Sequence, residues 1–404
     1  MTSASLLVED SRDYLSPRQV LVGDGSAARL GDALRTWGVA DGAVAVIADR
    51  AVVNFGVADP VLNSVAAAGL VAHVFADIEG EPTVDTAERA TEFARGLGAA
   101  AIVGVGGGSA MDVAKIVAMA LGSGTEVREC LGIDMPGRTV LPLALVPTTT
   151  GTGAEVTRVA MLSEDGRKVI SSHRALVPTL AVLDAELVRG LPAGVTASTG
   201  MDALAHAVEA FLSTNRSALS VEASLRAVAL LRDALPRAVA DGSDVPARRA
   251  TLYGAHLAGL ALNAGVVLGH SLAYTIANRA PLPHGVTCGL ALPYCLAYNA
   301  VADIDGVEDL ALALTGGRSA RLLDAADWVA ELAAQVGLPT SLGAVGIQAT
   351  QLTDMATECI ERYPRANNPV PFHHAPLTRL LQALHTGDLA AADPKHLYLE
   401  ESNA

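Results

Sequence analysis

The sequence predicts a two-domain chain, an α/β amino-terminal domain over residues 1–188 and an all-helical carboxyl-terminal domain over 189–404. Three observations carry this reading. The chain has 404 residues, more than one ordinary hydrophobic core organises. Its first part alternates short β-branched runs with helix-period segments, whereas the remainder is almost entirely of helical period. Half of it is hydrophobic (51%) but only 3% aromatic, which suits small residues packed in helices against a sheet buried on both faces.

Strands buried on both faces are expected at 44–48 (VAVIA), 72–76 (AHVFA), 100–105 (AAIVGV) and 142–147 (PLALVP). Amphipathic helices are expected at 26–38, 84–98 and 109–121. Strand and helix in alternation imply a parallel sheet with helices on both sides. After LPAGVTASTG (191–200) the pattern changes to helices at 201–213, 221–240, 247–263 and 322–337. Pro192 reads as a helix-start residue, and the Ser/Thr/Gly cluster behind it as a cap for the helix that follows.

A formal charge of −15 argues against nucleic acid or an anionic membrane as partner, since both call for a basic face. No apolar run reaches the ~20 residues of a membrane span. The opening MTSASLLVEDSRDYLSPRQV has acids where an export signal has lysines, and it lacks a long apolar stretch, so a cytoplasmic protein is expected. Cys130, Cys288, Cys295 and Cys359 are scattered without a CxxC pair. They indicate neither a disulfide framework nor a thiolate zinc site, and read as small buried hydrophobes.

AIVGVGGGSAMDVAK (101–115) runs from strand to helix through Gly104, Gly106, Gly107, Gly108 and Ser109. Glycines admit close approach of a phosphate, and Ser109 is placed to cap a helix whose free N–H groups and dipole face the same spot. The spacing is not GxGxxG and the turn follows a later strand, so a tight turn with no ligand is an open alternative. Asp49, closing the strand in VIADR, is placed to accept an adenosine ribose 2′-OH and to repel a 2′-phosphate, favouring NAD over NADP; a plain helix cap is the other reading. VPTTTGTGAEVT (146–157) adds a hydroxyl-rich loop at a third strand end. Together the three features indicate a dinucleotide.

In GMDALAHAVEAF (200–211), Asp202 and His206 lie four apart and leave one face of a core helix. His270 and His284 follow in a second apolar stretch. A carboxylate with three imidazoles suits a divalent transition metal such as Fe²⁺ or Zn²⁺, whereas calcium asks for oxygens throughout. Spacing alone leaves the histidines open between ligands and hydrogen-bonded core donors.

The segments GVGGGSAMDVAK, VPTTTGTGAEVT, VLDAELVRGLPAGVTASTGMDALAHAVEAF, GHSLAYTIANRAPLPHG and LPYCLAYN, in this order, resemble the iron-containing (group III) alcohol dehydrogenases over nearly the whole chain. The resemblance implies a dehydroquinate synthase-like architecture, with the active site in the cleft between an α/β NAD-binding domain and a helical metal-binding and substrate domain. It implies Asp202, His206, His270 and His284 as metal ligands and Gly106, Gly107, Gly108 and Ser109 as the pyrophosphate turn. Thr148, Thr149 and Thr152 are implied along the cofactor, and Lys168 at the nicotinamide ribose. Many members carry a further histidine four residues after the third ligand; here that position is Tyr274, so the proton path falls to Tyr274, a water or the substrate beside His270.

The implied activity is NAD(H)-linked oxidation of a small alcohol or reduction of its aldehyde, with aldehydes carrying a carboxylate, phosphonate or sulfonate among the candidates. Arg279 is the candidate clamp for such a group, and Asn367 and Asn368 are candidates for substrate contact. His173, Arg174, Arg365, His373 and His374 are further polar positions in loop-like stretches. Three alternatives stand beside this reading. They are a hydroxyacid–oxoacid transhydrogenase, a lyase of the dehydroquinate-synthase type, and a non-catalytic protein that holds NAD. A homodimer or higher homo-oligomer is implied by family habit.

Overall fold

The computed structural model describes residues 11–78 and 80–398, and divides the chain into a unit Leu15–Leu191 and a second beginning at Pro192. Half of the opening stretch in which no export signal was read, residues 1–10, lies outside the described residues. Among the described residues no single helix is long and apolar enough to cross a membrane.

In the first unit, strands β1 (Gln19–Val22), β2 (Ala43–Ala48), β3 (Val71–Phe75) and β4 (Ala101–Gly106) alternate with helices α1 (Leu30–Thr36), α2 (Arg50–Asn54), α3 (Asp59–Ala67) and α4 (Val84–Gly96). Helix α5 (Gly108–Ser123) follows, and then the short β5 (Gly132–Ile133), β6 (Leu143–Pro147), β7 (Val159–Glu164), β8 (Arg167–Ser172) and β9 (Leu180–Leu183). Six strands form one parallel sheet in the order β1-β9-β6-β4-β2-β3. Val44, Val46, Val103 and Val105 face one core with Leu30, Leu34, Val61 and Val65 from α1 and α3. Ala45, Ile47 and Ile102 face the other, with Ala87, Ala90 and Met111 from α4 and α5. The strands read as continuous apolar runs because both faces are covered.

From β2 the chain moves outward to β3, then crosses back to β4 and continues through β6 to β9 on the opposite side. The switch point of the sheet therefore lies between β2 and β4, where an open α/β sheet leaves a crevice outside its carboxyl ends.

Two parts of the unit were not read from sequence. The strands β1 and β9, four residues each, add a parallel pair at one edge. A separate sheet of order β5-β8-β7 contains an antiparallel hairpin turned by Asp165 and Gly166, both at positive φ (49° and 71°), as a two-residue hairpin turn demands. Buried Lys115 of α5 ties this sheet down through Thr157 O at 2.9 Å and Val159 O at 2.7 Å, and Asp112 accepts Met161 N–H at 2.9 Å. Burial pulls the Lys115 ammonium down to about 8 and pushes the Asp112 carboxyl up to about 6. The DVAK that follows the glycine turn thus holds the sheet to the helix.

The second unit opens with α6 (Ala193–Leu212), α7 (Ala218–Ala240), α8 (Val245–Ala261), α9 (Leu268–Ala277) and α10 (His284–Asn299). It continues through α11 (Val307–Thr315), α12 (Leu322–Gln335), α13 (Leu352–Glu361), α14 (His374–Thr386) and α15 (Pro394–Leu397). Among the described residues it contains no strand, and its main core is an apolar cluster running from Ala197 to Leu397, with small alanine clusters beside it.

Pro192 is the residue before α6, but the Ser/Thr/Gly cluster does not cap a later helix: it lies inside α6. Thr196 Oγ1 donates back to Pro192 O at 3.0 Å, which keeps the hydroxyl from competing with the helix. Gly200 is there for room, since a Cβ on it would come within 2.2 Å of Leu235 Cδ1 of α7.

Candidate functional site

The first unit gathers its polar features at the carboxyl ends of β2, β4 and β6. Asp49 follows β2, and its Oδ2 accepts the Gly107 N–H at 2.9 Å. It precedes α2 but makes no side-chain cap there, because the carboxylate reaches the neighbouring strand instead. Burial raises the Asp49 carboxyl and the Gly107 hydrogen bond opposes that rise. Across the turn, Thr148 N–H donates to Gly106 O at 2.9 Å. A Cβ on Gly106 would fall 2.2 Å from Asp49 Oδ2 and 2.8 Å from Ala110 Cβ; one on Gly108 would meet Thr152 Cγ2 at 2.8 Å.

These glycines are small because carboxylate, threonines and helix close in on them. Ser109 does not cap α5, as its position had suggested. The helix starts one residue earlier, with Gly107 before it and no side-chain cap, and Ser109 Oγ donates to Gly80 O at 2.9 Å. The first turn of a 16-residue helix, free of acids, therefore keeps its N–H groups for an anion. The cradle fits a pyrophosphate. Lys168, on β8, is half exposed and pairs with Glu81.

In the second unit, α6 carries Asp202 and His206 on one buried face. Around Asp202 Oδ1 the Nε2 atoms of His206, His270 and His284 stand at 3.7, 4.0 and 3.7 Å. Oδ1 is buried and, among the described residues, accepts no nitrogen or hydroxyl hydrogen bond. Leaving an acceptor so is costly unless something else takes its lone pairs. Metal bonds of about 2.0–2.2 Å put two ligands of a tetrahedral ion about 3.4 Å apart, close to these separations. Burial raises the Asp202 carboxyl, but the facing His206, His284 and His270 outweigh it and hold it below the ordinary value. The four residues fit a divalent cation. His284, 41% exposed, forms the open side of an otherwise buried set.

The arrangement has built-in supports. His270 Nδ1 is 2.6 Å from Glu209 Oε1, and Glu209 Oε2 accepts Val267 N–H at 2.8 Å and His270 N–H at 3.1 Å. The fully buried Glu209 thereby fixes the ring and assigns the Nδ1 proton, leaving the Nε2 lone pair toward Asp202. Gly269 makes room, since its Cβ would lie 2.6 Å from Glu209 Oε1. Gly285 likewise lets the start of α10 press on α6: a Cβ there would be 2.0 Å from Ser198 O. Exchanging Glu209 for glutamine is expected to weaken zinc binding about 10- to 100-fold, as removal of such supports does; competition with a chromogenic chelator measures it.

Glu209 lies seven residues after Asp202 on the same helical face, yet nothing in its local sequence marks it out. Cys288 reads from sequence as a small buried hydrophobe. All four cysteines are buried and free, yet Cys288 Sγ stands 3.5 Å from His284 Nε2 and 3.9 Å from His270 Nε2. One ligand atom each from Asp202, His270, His284 and Cys288 lie within 4.8 Å of one another. The available signal was the four-residue step from His284 to Cys288. Burial, with Asp202 and Glu209 nearby, raises the Cys288 thiol well above its ordinary value.

Tyr274 stacks on His284, ring centres 5.5 Å apart and planes 13° from parallel. Burial pushes its phenol up to about 12, with Arg365 working in the other direction. The phenol therefore keeps its proton. The Arg365 guanidinium carbon lies 5.9 Å from the Tyr274 ring centre, and its buried Nε has no hydrogen-bond partner among the described residues.

The expected substrate residues are otherwise engaged. Arg279 donates to Thr275 O at 2.9 Å and pairs with Glu358, so its charge is already matched. Asn367 donates to Ser213 Oγ and Val266 O; buried Asn368 bonds Asn299, Val370 O and Leu268 N–H. Both amides fasten the loop before α14 to the helices. His173 accepts the Ala175 N–H, and His374 Nε2 is 3.2 Å from Thr357 Oγ1.

A parallel sheet with an anion cradle at its switch point, joined to a helical unit holding a carboxylate–imidazole cluster, defines an oxidoreductase that works with a dinucleotide and a metal. Residues 17–185 match the family described as iron-containing alcohol dehydrogenase and residues 196–385 match its C-terminal part, and the chain belongs to this family, whose members are NAD-linked. It is 35% identical over 357 residues to long-chain-alcohol dehydrogenase 1 of Geobacillus thermodenitrificans, covering 86% of this chain and 90% of that one. Among solved structures, 1,3-propanediol oxidoreductase superposes with a TM-score of 0.85 at 28% identity, over 93% of this chain and all of the other. The sulfoacetaldehyde reductase from Bifidobacterium kashiwanohense in complex with NAD+ does so with 0.84 at 28% identity, over 93% and 99%.

Proposed function

We propose that this protein is a metal-dependent, NAD(H)-linked reductase of small aldehydes, working equally as a dehydrogenase of the corresponding alcohols, and that its substrate carries an acid group. The observation that carries the reading is the buried Asp202 Oδ1 facing three imidazole nitrogens. Asp202, His206, His270 and His284 hold the dication, Fe²⁺ or Zn²⁺. When bound, the ion supplies Lewis-acid polarisation of a carbonyl oxygen and the dinucleotide supplies hydride.

The chain's own residues place and protect the reactants. Gly106, Gly107, Gly108 and the first turn of α5 seat the pyrophosphate, with Thr148, Thr149 and Thr152 closing over it. Asp49 keeps negative charge at the neighbouring strand end, which supports NAD over NADP. Lys168 remains the candidate for the nicotinamide ribose, released from Glu81 when the dinucleotide binds. Tyr274 holds its proton at Oη and offers it as a hydrogen bond beside His284, so water or the substrate completes the proton path. A cytoplasmic homodimer is the setting we infer, with the edge strand β1 as its meeting point.

The acid group rests on Arg365. Its unpartnered Nε and its place over Tyr274 put an uncompensated cation next to the open side of the metal cluster. The sulfoacetaldehyde reductase among the structural relatives is named for a substrate of this chemistry. Short aldehydes with and without a carboxylate or sulfonate, reduced by NADH after zinc or iron reconstitution, test the proposal. The acidic ones are expected to give the higher kcat/KM, with Arg365→Gln raising their KM about 10- to 100-fold, the cost of a lost charged hydrogen bond. Equal turnover of neutral aldehydes, with no effect of Arg365→Gln, contradicts the acid-group reading. Net NADH consumption without an added hydroxy acid separates reduction from transhydrogenation.

A further inference from the structure

We propose that Cys288 is itself a ligand of the dication, so that the centre offers a thiolate beside the carboxylate and imidazoles. The inference rests on the metal site proposed above and concerns which atoms enclose it. Cys288 sits four residues after His284 on α10, one turn further along the same face, and is 1% exposed. Its Sγ lies 3.5 Å from His284 Nε2 and 3.9 Å from His270 Nε2. Bonds of about 2.3 Å to sulfur and about 2.0–2.1 Å to nitrogen set the two donors of a tetrahedral ion about 3.5 Å apart, so the geometry already has the required spacing.

The buried Asp202 carboxylate, whose Oδ1 has no nitrogen or hydroxyl donor among the described residues, faces the Cys288 thiol across the same space. His206, also beside Asp202, stacks on His270 with ring centres 4.9 Å apart. Cys288 therefore joins Asp202 and the imidazoles as a further donor, with one ligand atom each from Asp202, His270, His284 and Cys288 within 4.8 Å of one another. On loading, the ion replaces the thiol proton, which leaves to solvent: one metal–sulfur bond forms, one S–H bond breaks, and no electrons are exchanged. Carboxylate and thiolate then neutralise the dication. A soft donor in the set favours zinc over iron.

Zinc-edge X-ray absorption on the full-length, zinc-loaded protein tests this directly. The expected spectrum requires one sulfur neighbour at about 2.3 Å beside a nitrogen/oxygen shell, and Cys288→Ser loses that sulfur. Cobalt(II) gives a second readout: a thiolate-to-metal charge-transfer band in the near ultraviolet, present in the wild type and lost in Cys288→Ser. The wild-type spectra decide the matter even where the variant does not fold. A shell of nitrogen and oxygen alone, or a sulfur neighbour that survives in Cys288→Ser, overturns the proposal while leaving the metal site standing. A chain that retains no stoichiometric zinc or cobalt takes down both.

Discussion

Replacing Asp202 with asparagine is expected to give a folded protein that neither retains a divalent cation nor turns over. The two side chains have the same shape, so the packing of α6 is preserved. What changes is the charge at the point where three imidazole nitrogens converge. An amide has no negative charge with which to hold a dication among neutral rings. The Lewis-acid contribution it supports is worth several kcal/mol, so kcat/KM should fall by about a thousandfold or more. Metal analysis of the dialysed variant and its thermal melt accompany the kinetics. Full metal content with lost activity would give Asp202 another task, whereas an unfolded variant would shift the comparison to His270→Ala.

The second large effect belongs to the glycine turn proposed to seat the nucleotide. Gly106→Ala places a methyl group 2.2 Å from Asp49 Oδ2 and 2.8 Å from Ala110 Cβ. The helix is the stiffer neighbour, so Asp49 gives way and loses its hydrogen bond from Gly107 N–H. Separating a partly buried carboxylate from its donor costs about 1–3 kcal/mol, and KM for NADH should rise about 10- to 100-fold. Zinc content stays at the wild-type level, because Gly106 and the metal cluster belong to different units. Fluorescence titration with NADH measures the first quantity and metal analysis the second. Unchanged NADH affinity would place the dinucleotide elsewhere.

Much of this was legible in the residues. The switch from alternating strands and helices to unbroken helical period marks the two architectures, because a parallel sheet needs crossovers and a helical core does not. The Asp202/His206 step of four revealed a polar face on an apolar helix. What escaped has identifiable causes. Strands β1 and β9 are four residues long, too short to show a period. The Ser/Thr/Gly cluster of α6 resembles a cap, yet its small residues serve close helix packing and a back-bonded hydroxyl.

Arg279 lies near His284 in sequence, but Glu358 on α13 claims its charge; Arg365, much farther along the chain, is the cation that reaches Tyr274. Which arginine is claimed by a carboxylate depends on contacts between helices, and no local spacing reports those. Glu209 and Cys288 were hidden for a different reason. Each lies one or two turns from a residue already singled out, on a face that reads as core until its neighbours are known.

The central claim is that one dication at Asp202 and the three histidines makes the chain an enzyme. Turnover of NADH with a short acidic aldehyde, followed while zinc or iron(II) is titrated into chelator-stripped protein, tests it most directly. The account predicts no activity in the stripped protein and a linear rise that ends at one metal per chain. Full activity in protein shown by elemental analysis to hold no metal would contradict it.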